Sequence, residues 1–148
     1  MPFAIVGSAI FFIFINAGLN GYYLAFLEAY DSSTFFTSHF YLGFALFIIG
    51  FLINQKSDTM LIHLRKPGET GYKIPKGFLF KYVSCPNLFG ELIQWTGFAI
   101  MAMNPAATCF LIWTAANLIP RALSHHKWYR EKFENYPSKR KALIPFVL

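Results

Sequence analysis

Polar side chains recur at intervals of four in a chain that is otherwise poor in them. Asn54 and Asp58 form one such pair, and Asn87 and Glu91 form another, with Gln94 and Trp95 a turn further on. Asn117, Arg121, His125 and Tyr129 continue in the same step. On a helix this spacing puts each set on one face. Arg65, Arg121 and His125 would meet anionic oxygens, the arginines in bidentate fashion. Asn and Glu would read ribose hydroxyls or a carboxamide, and Trp95 and Tyr72 could stack on a flat ring, so the set suits a phosphate-bearing nucleotide. Each residue also has an ordinary structural use, as a snorkelling cation or as an interhelical hydrogen bond. Glu91 is the exception, because a carboxylate at the entry of an apolar helix needs a specific reason. Asn16 and Asn20, again four apart, stand with Tyr22 and Tyr23 in the first apolar stretch; Asn20 and Tyr23 are candidates for the substrate side. No metal site is expected, since His39, His63 and His126 lack carboxylates at ligand spacing, and Cys85 and Cys109 are a lone pair far apart. There is no Walker loop and no Gly-x-Gly-x-x-Gly after a strand, so any dinucleotide is held without a Rossmann fold.

The elements that must position these residues are membrane helices. Of 148 residues, 55% are hydrophobic and only 14% charged, against about a quarter charged in soluble domains. The mean hydropathy is +0.42. Four apolar windows read as spans at 3–26, 35–56, 87–103 and 106–123, followed by a cytoplasmic helix and tail over 122–148. The stretch from Leu92 to Pro120 carries no charge, and Asn104-Pro105 breaks it near the middle. Charge decides between one kinked span and two short ones. All 13 basic residues fall in segment 57–86 with its flanking Lys56 or in the tail from Arg121 onward, whereas the loop with Glu28 and Asp31 has none. Four spans place both basic segments on one side, so the positive-inside rule puts both termini in the cytoplasm. The net charge of +6 therefore records topology, and no nucleic-acid partner is expected. Segment 57–86 is rich in turn formers (Pro67-Gly68, Gly71, Pro75, Gly77), and irregular loops of that length are usually functional. The expected fold is an all-α membrane protein.

Three long segments carry a resemblance. They are Leu64-Arg65-Lys66-Pro67-Gly68-Glu69-Thr70-Gly71-Tyr72-Lys73-Ile74-Pro75, then Tyr82-Val83-Ser84-Cys85-Pro86-Asn87-Leu88-Phe89-Gly90-Glu91 with Trp95, and finally Arg121 through Tyr129 with Phe133 to Phe146. In this order, and with Asn20-Gly21-Tyr22-Tyr23-Leu24, they resemble the C-terminal part of the steroid 5α-reductase family. The resemblance implies a seven-helix membrane bundle that uses NADPH to saturate a carbon–carbon double bond conjugated to a 3-oxo group. Hydride would reach the β-carbon, a donor to the 3-oxo oxygen would stabilise the enolate, and a proton would arrive at the α-carbon. It also implies cofactor contacts at Asn54, Asp58, Arg65, Tyr72, Asn87, Glu91, Trp95, Arg121, His125 and Tyr129.

The family is longer at its N-terminal side, where its first three helices carry the Glu and Tyr that polarise the ketone. The expectation is thus a C-terminal fragment, or a chain completed by a partner segment, whose own ketone-polarising residues are unknown. Ser124 stands where the family commonly has the first of three histidines. Two other readings stay open: a related sterol or enoyl-CoA reductase or isoprenylcysteine carboxyl methyltransferase using S-adenosylmethionine, and a non-catalytic remnant. The expected membrane is the endoplasmic reticulum in a eukaryote or the inner membrane in a bacterium, with a steroid or other enone lipid as substrate.

Overall fold

A computed structural model describes residues 3–27, 30–66 and 68–148; Glu28 and Pro67 lie outside the described residues. Among them the fold is all-helical, with one isolated bridge between Val83 and Lys141. Four α-helices follow one another: α1 Phe3–Tyr22, α2 Ser38–Ile62, α3 Pro86–Ala102 and α4 Pro105–Lys132. Helix α1 passes directly into a π-helical turn, Tyr23–Leu27. Three helical stretches are long and apolar enough to cross a membrane: Val6–Leu27, Ser38–Ile62 and Pro105–Lys132. Helix α3 has 17 residues, about 25 Å of rise against a hydrocarbon core of about 30 Å.

The helix ends follow from local chemistry. Asp31 Oδ1 accepts from the Ser32 amide at 2.7 Å and starts the short 3₁₀ turn Ser32–Phe36 that leads into α2. Pro86 opens α3 at a position where a missing amide costs nothing. Met103 then takes up φ 48°, and Asn104 caps α4 by accepting from the Ala107 amide at 2.8 Å, with Pro105 in the first turn. Asn104-Pro105 is thus the break its sequence suggests.

Two helices run further than the apolar windows alone indicate. Helix α2 continues past residue 56 to Ile62 and carries Asp58 with it. Helix α4 joins the window 106–123 and the expected cytoplasmic helix into one rod ending at Lys132, with Pro120 inside it. Charged residues end an apolar window without ending a helix, which is why the boundaries differ.

Two seams hold the assembly together. Along the first, α2 and α3 approach backbone to backbone through Gly43 opposite Gly97 and Gly50 opposite Gly90. A Cβ added at Gly50 would lie 2.3 Å from the Gln94 nitrogen, and one at Gly97 2.4 Å from the Phe47 nitrogen. The second is the buried core of Cys85, Leu88, Leu118, Ala122 and Leu143, where the start of α3, the second half of α4 and the tail meet. The tail is stitched on by main-chain bonds: the Ser84 amide to Lys141 O and the Lys141 amide to Tyr82 O, both 2.8 Å. Elsewhere the helices turn large apolar side chains outward, among them Phe11, Phe14, Leu42 and Phe44, as lipid-facing helices do.

Candidate functional site

The glycine seam explains how the first polar set forms. One turn beyond Gly50 stands Asn54, and three residues before Gly90 stands Asn87. Their backbones are close, so Asn54 Nδ2 donates to the Asn87 carbonyl at 3.1 Å, and Asn87 Nδ2 donates to Asp58 Oδ1 at 3.0 Å. The Asn54, Asp58 and Asn87 side chains thus form one network across the α2–α3 junction. Ser57, fully buried between them in sequence, returns its hydroxyl to the Ile53 carbonyl at 2.7 Å and adds no open polar group.

The second set lies on α4. Arg121, His125 and Tyr129 share one face of that helix and line a cavity of about 490 Å³ with Ser84, Cys85, Asn87, Leu88 and Leu61. Arg121 also lines a neighbouring cavity of about 520 Å³, with Glu91, Thr114, Asn117 and Ser8. Phe12, Phe110 and Trp113 border this second cavity and a third one of about 440 Å³. The third is almost wholly apolar and lies between α1 and α4, lined in part by Asn20, Tyr23 and Leu27. Three cavities therefore succeed one another along α4, polar near Tyr129 and apolar near Pro105. Asn20 Nδ2 donates to Asn16 Oδ1 at 3.0 Å, while Asn20 Oδ1 is buried with no hydrogen-bond partner among the described residues.

Of the expected contacts, Asn87, Glu91, Arg121, His125 and Tyr129 line the polar cavities, whereas Asn54, Asp58, Arg65, Tyr72 and Trp95 do not. Arg65 is exposed beyond the end of α2. Tyr72 is 66% exposed, its ring edge-on to Trp128 of α4 at 4.8 Å, one residue from Tyr129. Trp95 lines neither polar cavity; its ring is engaged edge-on by Phe47, Phe98 and Phe110, the last at 4.5 Å. It thereby backs a residue that separates the second and third cavities.

Sequence spacing missed Ser84, Trp113, Trp128, Tyr136 and Arg140. The partners that tie them across the fold, His126 for Ser84, Phe12 for Trp113, Tyr72 for Trp128, Ser84 for Tyr136 and Pro75 for Arg140, lie far away in the chain, so periodicity carries no sign of those links. Cys85 is buried, and desolvation pushes its thiol up to about 12; it is packing rather than a nucleophile.

The sequence profile of the family described as 3-oxo-5-alpha-steroid 4-dehydrogenase matches residues 1–148. The chain belongs to this family. It is 47% identical over 99% of its length to 3-oxo-5-alpha-steroid 4-dehydrogenase 1 of Rattus norvegicus, of which it covers 58%. Against the enzyme of that name from Homo sapiens the identity is 43%, over 99% of this chain and 57% of the relative. A steroid 5-alpha-reductase of Arabidopsis thaliana is 42% identical over 99% of this chain and 56% of its own length. The chain thus spans a little over half the length of the relatives it matches. Membership in a reductase family is consistent with a nicotinamide cofactor.

Proposed function

We propose that this chain carries the nucleotide-binding side of a membrane reductase that saturates the double bond of a 3-oxo-Δ4-steroid or similar enone lipid, with NADPH as reductant. The observation that carries the reading is the succession of cavities along α4. A dinucleotide needs cations and hydroxyl-reading groups at one end and a steroid needs an apolar chamber, and here the two adjoin.

The donor set fits the cofactor. Arg121 stands where both polar cavities meet and presents the planar fork that grips phosphate. His125 adds a ring N–H and Tyr129 a phenolic hydroxyl on the same face, and the exposed Arg65 and Lys66 bring further positive charge from the loop. Glu91 offers a carboxylate acceptor for a ribose hydroxyl or an amide, and Asn117 stands beside it in the same cavity. Asp58 and Asn54 act through Asn87, whose amide and carbonyl they hold. Bound NADPH would supply the hydride. The chain's own part is to aim the nucleotide toward Phe12, Phe110 and Trp113, beyond which the apolar chamber receives the lipid. There Tyr23 and Asn20 border the chamber. The topology that serves this chemistry has four spans with both termini cytoplasmic, so that the polar cavities open toward the soluble cofactor.

Titrating the full chain in lipid nanodiscs with NADPH and with S-adenosylmethionine tests the reading. NADPH is expected to bind, and Arg121→Ala to weaken it by about 10- to 100-fold, the range for a charged hydrogen bond. Preference for S-adenosylmethionine, or an Arg121→Ala variant with unchanged affinity, would overturn it.

A further inference from the structure

Ser84 lines the polar cavity of about 490 Å³, yet the residue is only 3% exposed and its hydroxyl is engaged with three groups. Its Oγ lies 2.6 Å from His126 Nδ1, 2.7 Å from the Tyr136 hydroxyl and 3.0 Å from the Lys141 carbonyl. A serine hydroxyl has one proton and two lone pairs. The Lys141 carbonyl can only accept, so it takes that proton. Tyr136 and His126 must then both donate to Ser84, which assigns a proton to His126 Nδ1. Arg140 Nη1 donates to the Tyr136 oxygen at 3.4 Å, with the guanidinium over the same ring at 4.9 Å. Arg140 Nη2 donates to the Pro75 carbonyl at 3.3 Å, and the residue is 4% exposed. Every donor and acceptor in this chain of bonds has one consistent direction.

The cluster joins four segments that meet nowhere else by side-chain hydrogen bonds among the described residues. They are the approach to α3 (Ser84), α4 (His126), the tail (Tyr136 and Lys141) and the loop carrying Tyr72 (Pro75). His126 follows His125, about 100° further round the helix. Holding His126 against Ser84 therefore holds the rotation of α4, and with it the directions of Arg121, His125 and Tyr129.

We infer that Ser84, His126 and Tyr136 are positioning residues of the polar cavity, a hydroxyl latch that seats the tail and sets the rotation of α4 under a bound nucleotide. This rests on the nucleotide reading above for its functional consequence but not for the latch itself.

Two measurements on the full chain in nanodiscs separate those parts. The first is alkylation of Cys85 by a maleimide, read by mass spectrometry, with the rate in each variant compared to that of the wild-type chain labelled in parallel. Cys85 adjoins Ser84 and its amide donates to Ala142 O at 3.2 Å, so release of the tail uncovers it. Tyr136→Phe, which removes one oxygen and little else, and Ser84→Ala should speed this labelling by about two- to tenfold, the equilibrium effect of one hydrogen bond. The second is NADPH affinity, expected to weaken by a similar factor in the same variants. His126→Asn keeps an N–H near the Nδ1 position and should restore wild-type behaviour in both measurements, whereas His126→Leu should behave as Ser84→Ala does. Wild-type labelling rates in both Tyr136→Phe and Ser84→Ala would overturn the latch. Equal behaviour of His126→Asn and His126→Leu would also overturn it, by reducing His126 to packing. Faster labelling of Cys85 in the variants, together with a wild-type chain that binds no NADPH, would overturn the nucleotide reading and leave the latch standing.

Discussion

Helix α2 meets α3 and helix α1 meets α4 in opposite ways. Between α2 and α3 four glycines let main chain touch main chain, and no Cβ fits at any of them. Between α1 and α4 the contact runs through large rings, Phe12 stacked on Trp113 at 5.5 Å and on Phe110 at 6.3 Å, and leaves an apolar cavity of about 440 Å³. The glycines of α1, Gly7, Gly18 and Gly21, have nothing within 4 Å of an added Cβ. In lipid, where burial of apolar surface drives helix association weakly, close backbone approach gives dispersion contact instead. The difference teaches which part is scaffold and which is passage. The α2–α3 pair fixes Asn54, Asp58, Asn87 and Glu91 in a rigid frame, and the α1–α4 side keeps an apolar cavity, which the proposed function gives to the lipid.

The largest effect should come from forcing the closed seam open. Gly50→Leu puts a Cβ 2.3 Å from the Gln94 nitrogen and 2.5 Å from the Gly90 carbonyl oxygen, and main chain cannot step aside as a side-chain tip can. Overpacking of this kind costs about 1–3 kcal/mol or more. The variant should lose that much in a reversible detergent-unfolding titration, and NADPH affinity should fall with it because Asn54 and Asn87 separate. Gly18→Leu, in the open region, should leave stability within about 1 kcal/mol of wild type, since no atom is displaced and helix propensity favours Leu over Gly by about that amount. Equal losses in both variants would erase the distinction between scaffold and passage.

A smaller effect separates the two asparagine pairs. Asn87→Ala removes the donor to Asp58 and leaves a half-buried carboxylate without that hydrogen bond, a cost of about 1–3 kcal/mol. Asn16→Ala removes only one of two acceptors for Asn20 Nδ2, because the Asn16 main-chain carbonyl remains 3.1 Å away. Its stability should stay within about 0.5 kcal/mol of wild type. If Asn16→Ala proved the more damaging in the unfolding titration, the polar network of the α2–α3 junction would not be the stiffer of the two.

The same contrast decides what could be read from the chain. Polar residues four apart on one helix announce a shared face, so the Arg121, His125 and Tyr129 face was legible, and so was the Asn104-Pro105 break, whose capping chemistry is local. The Asn54–Asn87 and Asn87–Asp58 bonds were half legible: spacing put the partners at neighbouring helix ends, but the approach through Gly50 and Gly90 shows only once both helices are placed. Ser84 with Lys141, and Arg140 with Pro75, join positions too remote for any period to connect. Trp95 reads in the sequence as a ring that could stack on a flat ligand; its neighbours Phe47, Phe98 and Phe110 come from tertiary packing and carry no sign in the spacing.

The smallest effect belongs to the loop, which neither seam holds directly. Glu69 Oε2 accepts from the Lys66 amide at 2.8 Å and pairs with Lys73 four residues on. The Lys73 hydrogen bond first, and the Lys66 amide second, hold the Glu69 carboxyl below its ordinary value of 4.5. A depressed acid contributes its ordering in full above the unfolded value, and that contribution fades as pH falls through the folded one. The segment from Lys66 to Lys73 should therefore keep constant order from neutral pH down to about 5 and loosen only in more acid solution. Amide hydrogen exchange, corrected for its intrinsic pH dependence, would show this as falling protection at the Lys66 amide below about pH 4.5. Because the pair is exposed and screened by salt, Glu69→Gln should cost the fold nothing measurable and abolish that pH dependence. A Glu69→Gln chain that still loosened in acid would place the sensitive group elsewhere and detach loop order from the Lys66–Glu69–Lys73 bonds.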